Sequence, residues 1–321
     1  MIEVSHADRV VFPEIGRTKG DVVAYFERVA GRALPHLLRR PLSIRRYPKG
    51  LDGPGFFQKN VPAHYPASME RFAVPRSAQA TKRHRGKAAA PVREETEYPV
   101  LTLAEHLPYL ANQGAIELHV PTARLPDLLR PDRVVIDLDP PPDSLVLVRR
   151  AAIVVRDRMG ELGLPTVPVA TGSKGYHVVA PIAPPATTDD GLAIGTAVQK
   201  LAALLVAEQP DDLTVTFRVA QRGGRVFVDW LRNMPMATVV APYSLRARPR
   251  ATVAVPLAWS EIETIPPDGF TIADVARLLD RPDHLADLAR TPAAPEPFVA
   301  AVDAAFERAG LVLEEFDRFR S

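Results

Sequence analysis

Val134-Val135-Ile136-Asp137-Leu138-Asp139-Pro140 is an apolar run that carries two carboxylates two residues apart. Side chains alternate between the faces of a β-strand, so Asp137 and Asp139 should share one face, with Cα atoms about 6–7 Å apart. Burying two like charges is costly unless a cation compensates them. Divalent metal ions bind such oxygen ligands and can also hold phosphate oxygens. The run therefore predicts metal-assisted phosphate chemistry on a buried strand.

The composition is that of a globular chain. Its 321 residues suffice for one large domain or two fused modules, and 46% are hydrophobic and 24% charged. Cysteine is absent, which excludes disulfides, thiolate zinc sites and cysteine nucleophiles. No run approaches the roughly 18 apolar residues of a membrane helix, and the N-terminus has no signal-peptide pattern. We therefore expect a cytoplasmic protein.

Charge is distributed unevenly along the chain. Residues 1–100 hold 18 Lys and Arg against 10 Asp and Glu, and residues 211–259 hold 7 against 3. Residues 260–321 hold 6 against 13. Two basic regions on either side of an acidic strand fit a polyanionic ligand, although a solvated basic surface explains the charge equally well.

Strand and helix patterns alternate along the chain, which indicates an α/β (α+β) fold. Thr18 is the expected N-cap of the first helix, and Thr102-x-x-Glu105 forms a predicted capping box. Two or three acidic amphipathic helices should follow residue 271, and 81–90 should be an exposed basic loop. We predict helices over 18–38, 102–112, 145–162 and 189–208, and strands over 42–47, 54–58, 115–120, 133–138, 165–170, 176–181 and 225–230.

A third carboxylate is needed to hold two metal ions about 3.5–4 Å apart. Asp229 is the best candidate, because it ends the apolar run Arg225–Trp230. Taken alone, it is more simply explained as a strand-end cap or as an ion pair with Arg232. Together with Asp137 and Asp139, it predicts a catalytic metal site.

The turn Thr171-Gly172-Ser173-Lys174-Gly175 and the following His177 form a second group of chemically active residues. Two glycines permit a tight turn whose N–H groups could face an anion, and the hydroxyls and the lysine add donors and charge. The spacing is not that of a Walker A loop. In isolation, His177 is more simply a hydrogen-bonded residue of its strand.

Arginines and aromatic residues complete the candidate set. Arg246 and Arg248 would share a face of an extended segment and could clamp a triphosphate, or they could simply face solvent. Phe56 and Phe57 precede Lys59 and could stack on a base, although adjacent phenylalanines are more often core residues.

The order of these segments resembles the primase-polymerase domain of bacterial ligase D, within the archaeo-eukaryotic primase superfamily. The resemblance rests on Asp137-Leu138-Asp139, on T-G-S-K-G-Y-H from Thr171, on Val228-Asp229 and on Y-S-L-R-A-R from Tyr243. It also includes Phe56-Phe57-Gln58-Lys59 and Ile116-Glu117-Leu118-His119, and so covers nearly the whole chain.

The resemblance implies a single catalytic domain with a primase-like fold, in which central mixed sheets are flanked by helices. Its parts would be a basic N-terminal module over about 1–130, a catalytic module over about 131–260 and an acidic helical tail over about 261–321. The implied metal ligands are Asp137, Asp139 and Asp229. The implied nucleotide-binding residues are Thr171, Ser173, Lys174, His177, Arg232, Arg246 and Arg248, with His119 near the sugar and Phe56 or Phe57 on a base.

We accordingly expect a template-dependent nucleotidyltransferase that extends 3′-hydroxyls at DNA gaps or breaks, as in end joining. The resemblance implies two Mn²⁺ or Mg²⁺ ions, a manganese preference and a bias toward ribonucleotides. The K-x-D-G motif of ligases is absent, so the chain is either a stand-alone form or a piece of a longer protein. A ligase and Ku are expected as partners, in association with the nucleoid. Lys19 and Arg17 are candidates for a 5′-phosphate contact, and Lys59 for a DNA contact.

Two other classes of protein share parts of this pattern. Aspartyl-phosphate phosphatases also begin with D-x-D on a strand, but Gly usually follows, whereas here Pro140-Pro141-Pro142 follows. A phosphatase would leave the arginines and the basic N-terminal region unexplained. A DNA-binding scaffold without catalysis would have no need of three carboxylates.

Overall fold

A computed structural model describes residues 3–75 and 95–313, so the predicted basic loop over 81–90 lies outside the described residues. The fold is mixed α/β, as predicted. Its helices are α1 (Lys19–Leu37), α2 (His106–Asn112), α3 (Leu145–Glu161), α4 (Thr188–Glu208), α5 (Val275–Asp280), α6 (His284–Leu288) and α7 (Pro295–Arg308).

The strands are β1 (Val10–Phe12), β2 (Arg17–Thr18), β3 (Ser43–Arg46), β4 (Phe56–Gln58), β5 (Glu70–Pro75), β6 (Glu95–Val100), β7 (Ala115–Pro121), β8 (Arg133–Asp139), β9 (Val167–Ala170), β10 (Tyr176–Pro181), β11 (Leu213–Thr214), β12 (Val226–Asp229), β13 (Thr238–Val240) and β14 (Val255–Pro256). A six-stranded sheet has the order β11-β12-β8-β10-β9-β14, and a four-stranded sheet the order β13-β7-β3-β4. The first sheet is mixed, because β11 and β12 are parallel while its other neighbours are antiparallel.

Strand β8 lies inside the six-stranded sheet and shows why the opening sequence run is buried. Val134, Ile136 and Leu138 are fully buried in the main core, on the face where α3 packs. Asp137 and Asp139 alternate with them and so lie on the opposite face, where both are partly exposed. The predicted shared face of the two carboxylates is confirmed.

One hydrophobic cluster connects all three predicted parts of the chain. It contains Val11 and Phe26 from the N-terminal part, Ile136 from the catalytic strand, and Phe298 and Phe306 from α7. The boundaries of the three predicted modules stay a prediction.

The helix ends explain several of the observed boundaries. Thr18 caps α1 through a reciprocal capping box with Asp21, as predicted. The predicted box from Thr102 to Glu105 is wrong, because α2 begins only at His106 and makes no side-chain cap hydrogen bond. Local turns at 103–107, in which the N–H groups of His106 and Leu107 bond to the carbonyls of Leu103 and Ala104, replace the first turn of the predicted helix.

Helix α4 is long and apolar enough to cross a membrane by length and composition alone. Its apolar side chains, such as Val198, Leu201 and Leu205, are instead fully buried against the rest of the chain. Helix α7 packs along it, and Lys200 on α4 pairs with Asp303 on α7 at 2.6 Å. This is the packing of a core helix.

Gly191 provides a test of the packing at the start of α4. A Cβ atom there would lie 1.9 Å from the carbonyl oxygen of Leu129, so Gly191→Ala should lower the free energy of unfolding by about 2 kcal/mol or more. Gly160 is the matched control, since it lies in α3 with no atom within 4 Å of an added Cβ, and Gly160→Ala should stabilise by about 0.5–1 kcal/mol. Urea denaturation of both variants measures the difference, and equal effects would contradict the packing described here.

Candidate active site

Three polar side chains lie in one row across the centre of the six-stranded sheet. Asp137 on β8 is directly opposite Asp229 on β12 and directly opposite His177 on β10. Residues directly opposite in antiparallel strands project from the same face and approach closely. The sheet therefore brings Asp229 to Asp137, as predicted from the isolated segments.

Arg232 connects the two carboxylates. Its Nε donates to Asp137 Oδ2 at 3.0 Å, and its Nη2 lies 3.0 Å from Asp229 Oδ2. The ion pair that the sequence offered as the simpler explanation of Asp229 thus exists within the carboxylate cluster. Asn233 fixes this segment, because its side-chain amide accepts from the Val135 N–H at 2.8 Å and donates to the Val135 carbonyl at 2.6 Å.

Asp139 lies at the outer end of β8, with two cations near it. Lys174 Nζ is 3.6 Å from Asp139 Oδ1, and Arg222 Nη1 is 3.9 Å from Asp139 Oδ2. Arg222 also lies over the ring of Phe227, at 4.0 Å from its centroid. The sequence reasoning did not select Arg222, since only the pairing of β12 with β8 reveals its proximity to Asp139.

Burial raises the pKa of Asp229 from 3.8 to about 6. The negative charges of Asp137 and Asp139 act in the same direction, and Arg232 opposes them. Asp229 is only 5% exposed, so its charged state is disfavoured mainly by burial. A cation bound beside it would favour the charged state.

His177 is also buried, and its Nε2 lies 3.5 Å from Asp137 Oδ1. Burial lowers the pKa of His177 to about 4, with Arg232 and Arg246 acting in the same direction and Asp137 opposing. The ring is therefore neutral near pH 7 and can serve as a hydrogen-bonding group.

The turn over 171–175 is closed by its own hydrogen bonds. The Thr171 hydroxyl donates to the Gly175 carbonyl at 2.6 Å, and the Gly172 N–H donates to the Pro267 carbonyl at 2.7 Å. Both groups are thus engaged within the protein, and the predicted nucleotide contact of Thr171 stays a prediction. Ser173 and Lys174 remain at the cavity wall.

Both glycines of this turn are required by close backbone approach. Gly172 has φ +67°, and a Cβ atom there would lie 2.7 Å from Arg246 Cγ. A Cβ atom at Gly175 would lie 1.9 Å from the Leu138 carbonyl oxygen. The turn is thereby packed directly against the catalytic strand and against the arginine segment.

Arg246 and Arg248 both reach this turn, although residues 246–248 form no strand. Arg246 Nη1 donates to the Thr171 carbonyl at 2.6 Å, and Arg248 Nη2 donates to the Ser173 hydroxyl at 2.8 Å. The expected extended segment is wrong, but the convergence of the two arginines on one site is confirmed. A bend in the chain at residues 247–248, and not the alternation of a strand, brings the two side chains to the turn over 171–175.

The four-stranded sheet supplies the opposite wall. His119 on β7 lies at the cavity, and the ring of Phe57 on β4 meets it edge-on with a centroid distance of 5.5 Å. Phe57 is 57% exposed, so this phenylalanine is free to contact a ligand. Phe56 alternates to the other face, where Arg46 lies over its ring at 5.7 Å, so the structure does not bring Phe56 to the site.

These elements enclose a cavity of about 350 Å³. Asp229 lies behind Arg232 and does not line the cavity. Of the predicted residues, its wall contains Phe57, His119, Asp137, Asp139, Thr171, Ser173, Lys174, His177, Arg232, Arg246 and Arg248.

The carboxylates suit a divalent cation in chemistry, since they are hard oxygen donors on one face of adjacent strands. Within the described residues, no three His, Asp or Glu side chains form a ready metal site. The guanidinium of Arg232 instead pairs with both Asp137 and Asp229. In donor chemistry the residues present fit the metal site that the sequence predicts, in which Asp137, Asp139 and Asp229 would be the ligands.

The predicted DNA contacts lie apart from this cavity. Lys19 is buried and its Nζ donates to the Ser5 carbonyl at 2.6 Å, within a second cavity of about 190 Å³ that Arg9 and Arg46 also line. Arg17 is not in that cavity and pairs with Asp21 at 3.7 Å. Lys59 is exposed next to β4.

Comparison with known proteins agrees with this geometry. The family model described as LigD, primase-polymerase domain, matches residues 18–286. The chain is 34% identical over 272 residues to the multifunctional non-homologous end joining DNA repair protein LigD of Mycobacterium tuberculosis, a match covering 82% of this chain and 33% of that protein. It is 29% identical to the bifunctional LigD of Bacillus subtilis, over 85% of this chain and 42% of that protein.

A solved structure, the polymerase domain of Mycobacterium tuberculosis ligase D in complex with DNA, has a TM-score of 0.78 and 32% identity. The match covers 91% of this chain and 99% of that chain. The fold and site thus define a polymerase domain of the nucleotidyltransferase class. The chain belongs to the LigD primase-polymerase family. It spans about a third of the length of the mycobacterial relatives.

The raised pKa of Asp229 makes stability depend on pH. Because the folded chain holds this proton more tightly than the unfolded chain, the stabilising contribution is present below about pH 4 and is lost as pH rises through about 6. Asp229→Asn, which cannot ionise, should therefore gain stability over wild type as pH rises, by about 1–2 kcal/mol between about pH 4.5 and about pH 7.5. Urea denaturation in metal-free buffer measures this difference, and a gain independent of pH would contradict the assignment.

Proposed function

We propose that this chain extends 3′-hydroxyl ends of DNA on a template, at gaps or breaks, and that it acts in end joining. The observation that carries the proposal is the convergence of Asp137 and Asp139 with Lys174 and Arg246 on one cavity, with Asp229 directly opposite Asp137 in the sheet. A cavity lined by carboxylates on one side and by cations on the other suits a nucleoside triphosphate. Its phosphates can bind the cations while its reacting phosphorus lies near the carboxylates. Family membership excludes the phosphatase interpretation.

Each part of the site has a separate task in this proposal. Lys174 and Arg246 bind and orient the triphosphate, and the neutral ring of His177 offers a hydrogen bond beside the carboxylates. Phe57 stacks on a base, since its exposed ring is at the cavity mouth. The gain in rate comes from positioning and from charges fixed in place before the reaction.

Polymerase domains of this class use divalent metal ions, and we propose Mn²⁺ or Mg²⁺ as a pair held by Asp137, Asp139 and Asp229. When bound, such ions supply acidification of the attacking hydroxyl and neutralisation of charge on the leaving pyrophosphate. Arg232 must then release at least one carboxylate, because its guanidinium contacts both Asp137 and Asp229.

Several further expectations belong to the same proposal. The preference for ribonucleotides and for manganese stays a prediction. Ku and a DNA ligase are proposed partners, supplied by other parts of a longer protein or by separate chains. A protein that acts on DNA ends is expected at the nucleoid in the cytoplasm, and this localisation stays a prediction.

Primer extension on gapped DNA with labelled nucleotide tests the catalytic roles. Asp137→Ala should reduce extension by about a thousandfold or more, because a loss of several kcal/mol is expected when a metal ligand is removed, while DNA affinity measured by fluorescence anisotropy stays close to wild type. Lys174→Ala should chiefly raise KM for nucleotide, by about tenfold.

Asp303→Asn is the matched control for loss of a carboxylate, since Asp303 pairs with Lys200 between α4 and α7, away from the cavity. It should retain wild-type extension. Extension by Asp137→Ala at the control rate would refute the proposed site. Release of inorganic phosphate without extension would favour hydrolysis in place of polymerisation.

The second cavity supports the predicted contact with a recessed 5′-phosphate. Burial and the nearby charge of Arg9 lower the pKa of Lys19, so the two cations are close enough to repel one another. Arg46 lines the same cavity. A bound dianionic phosphate would relieve the repulsion between Lys19 and Arg9. Arg17 is paired with Asp21 and lies outside this cavity, so we do not expect it to contact the phosphate.

Lys19→Ala should therefore reduce the affinity for gapped DNA that carries a 5′-phosphate by about tenfold, because one charged hydrogen bond is lost. It should leave the affinity for 5′-hydroxyl DNA unchanged. Arg17→Ala is the control and should keep the preference. Anisotropy titrations with both DNAs decide the matter, and a wild-type protein without any preference for the phosphate would remove this site from the proposal.

A further inference from the structure

Glu117 is a buried carboxylate beside the cavity that none of the roles above uses. It lies on β7 between Ile116 and Leu118, whose side chains face the core. Strand alternation therefore directs Glu117 to the opposite face, together with His119 two residues later. Its side chain is only 3% exposed.

The two oxygens of Glu117 contact different parts of the site. Oε1 accepts from the Ala247 N–H at 2.9 Å and lies 3.5 Å from Arg246 Nε. Oε2 lies 3.0 Å from His119 Nε2. Arg45, directly opposite on β3, approaches Oε1 at 3.6 Å. One carboxylate thus joins the arginine segment to the histidine of β7.

This carboxylate is ionised at neutral pH. Burial alone would raise its pKa, but the hydrogen bond with His119, the charge of Arg246 and the Ala247 N–H together lower the pKa of Glu117 to about 2. Arg246 is held from its other side by the Thr171 carbonyl, at 2.6 Å from Nη1. The guanidinium of Arg246 is therefore fixed between the turn over 171–175 and Glu117.

We propose that Glu117 is a positioning residue that couples His119, on the sugar side of the cavity, to Arg246, on the phosphate side. The inference rests on the proposed function, because the ligand it concerns is a nucleoside triphosphate. Because both side chains depend on one rigidly placed carboxylate, a displacement of either is transmitted to the other. The carboxylate itself touches neither substrate nor reacting atoms.

A purely structural role is the alternative, and Asp132 provides its matched control. Asp132 is also a carboxylate among arginines, bonded to Arg40 and Arg124, although it is only partly buried and does not line the cavity. Loss of either carboxylate leaves buried arginines without their partner and should lower stability. Only the loss of Glu117 should alter nucleotide binding.

The test uses Glu117→Gln and Asp132→Asn, with ATP as the probe. Calorimetric titration should show ATP affinity reduced about tenfold in Glu117→Gln and unchanged in Asp132→Asn. The carboxylate requires a proton on His119 Nε2, whereas a glutamine whose oxygen still accepts from Ala247 would donate its amide N–H to that nitrogen. The ¹⁵N spectrum of the His119 imidazole should therefore change from the Nε2–H to the Nδ1–H tautomer.

The Arg246→Lys variant provides a second measurement, which does not require the Glu117→Gln variant to fold. It should shift the His119 imidazole signals through the shared carboxylate. Unchanged His119 signals in Arg246→Lys, or unchanged ATP affinity and tautomer in folded Glu117→Gln, would overturn the positioning role. A wild-type protein that binds no ATP would instead refute the proposed function, while the imidazole spectra would still report on the Glu117 contacts.

Discussion

The register between β8 and its two neighbours is the constraint on which the site depends. Asp137 stands opposite both Asp229 and His177, so three functional side chains from distant parts of the chain share one row. A slip of one residue in either pairing would turn a whole set of side chains to the other face. The fully buried Val134, Ile136 and Leu138 prevent this slip, because they would then lose their place in the core. The hydrophobic face thus maintains the geometry of the polar one.

The same arrangement creates an electrostatic problem that the protein resolves with its own cations. Burial, together with the charges of Asp137 and Asp139, raises the pKa of Asp229. Arg232 compensates two of these three carboxylates from within the cluster, and Lys174 lies near the third. On the opposite wall the signs are reversed, and Glu117 holds arginines in place.

Much of the site could be recognised from local sequence, and the exceptions have physical causes. Asp137 and Asp139 follow from strand alternation, and Asp229 from its position at the end of an apolar run. Thr171 lines the cavity, but only the structure shows that its hydroxyl closes its own turn by bonding to Gly175. For Phe56 and Phe57, the sequence does not say which face of β4 points to the cavity. Arg222 and Glu117 belong to no local pattern that indicates their partners, so their contacts are visible only in the structure.

Periodicity, capping and ordered motifs in the sequence predict the fold class, most helix and strand positions, the acidic cluster and the likeness to a primase-polymerase domain. These features act over short stretches of chain. The folded structure is needed to show that Arg232 spans two carboxylates, that a bend brings Arg246 and Arg248 to the turn over 171–175, and that Lys19 shares a cavity with Arg9 and Arg46. Such contacts join residues far apart in sequence, and their distances depend on how two sheets pack, which no local pattern encodes.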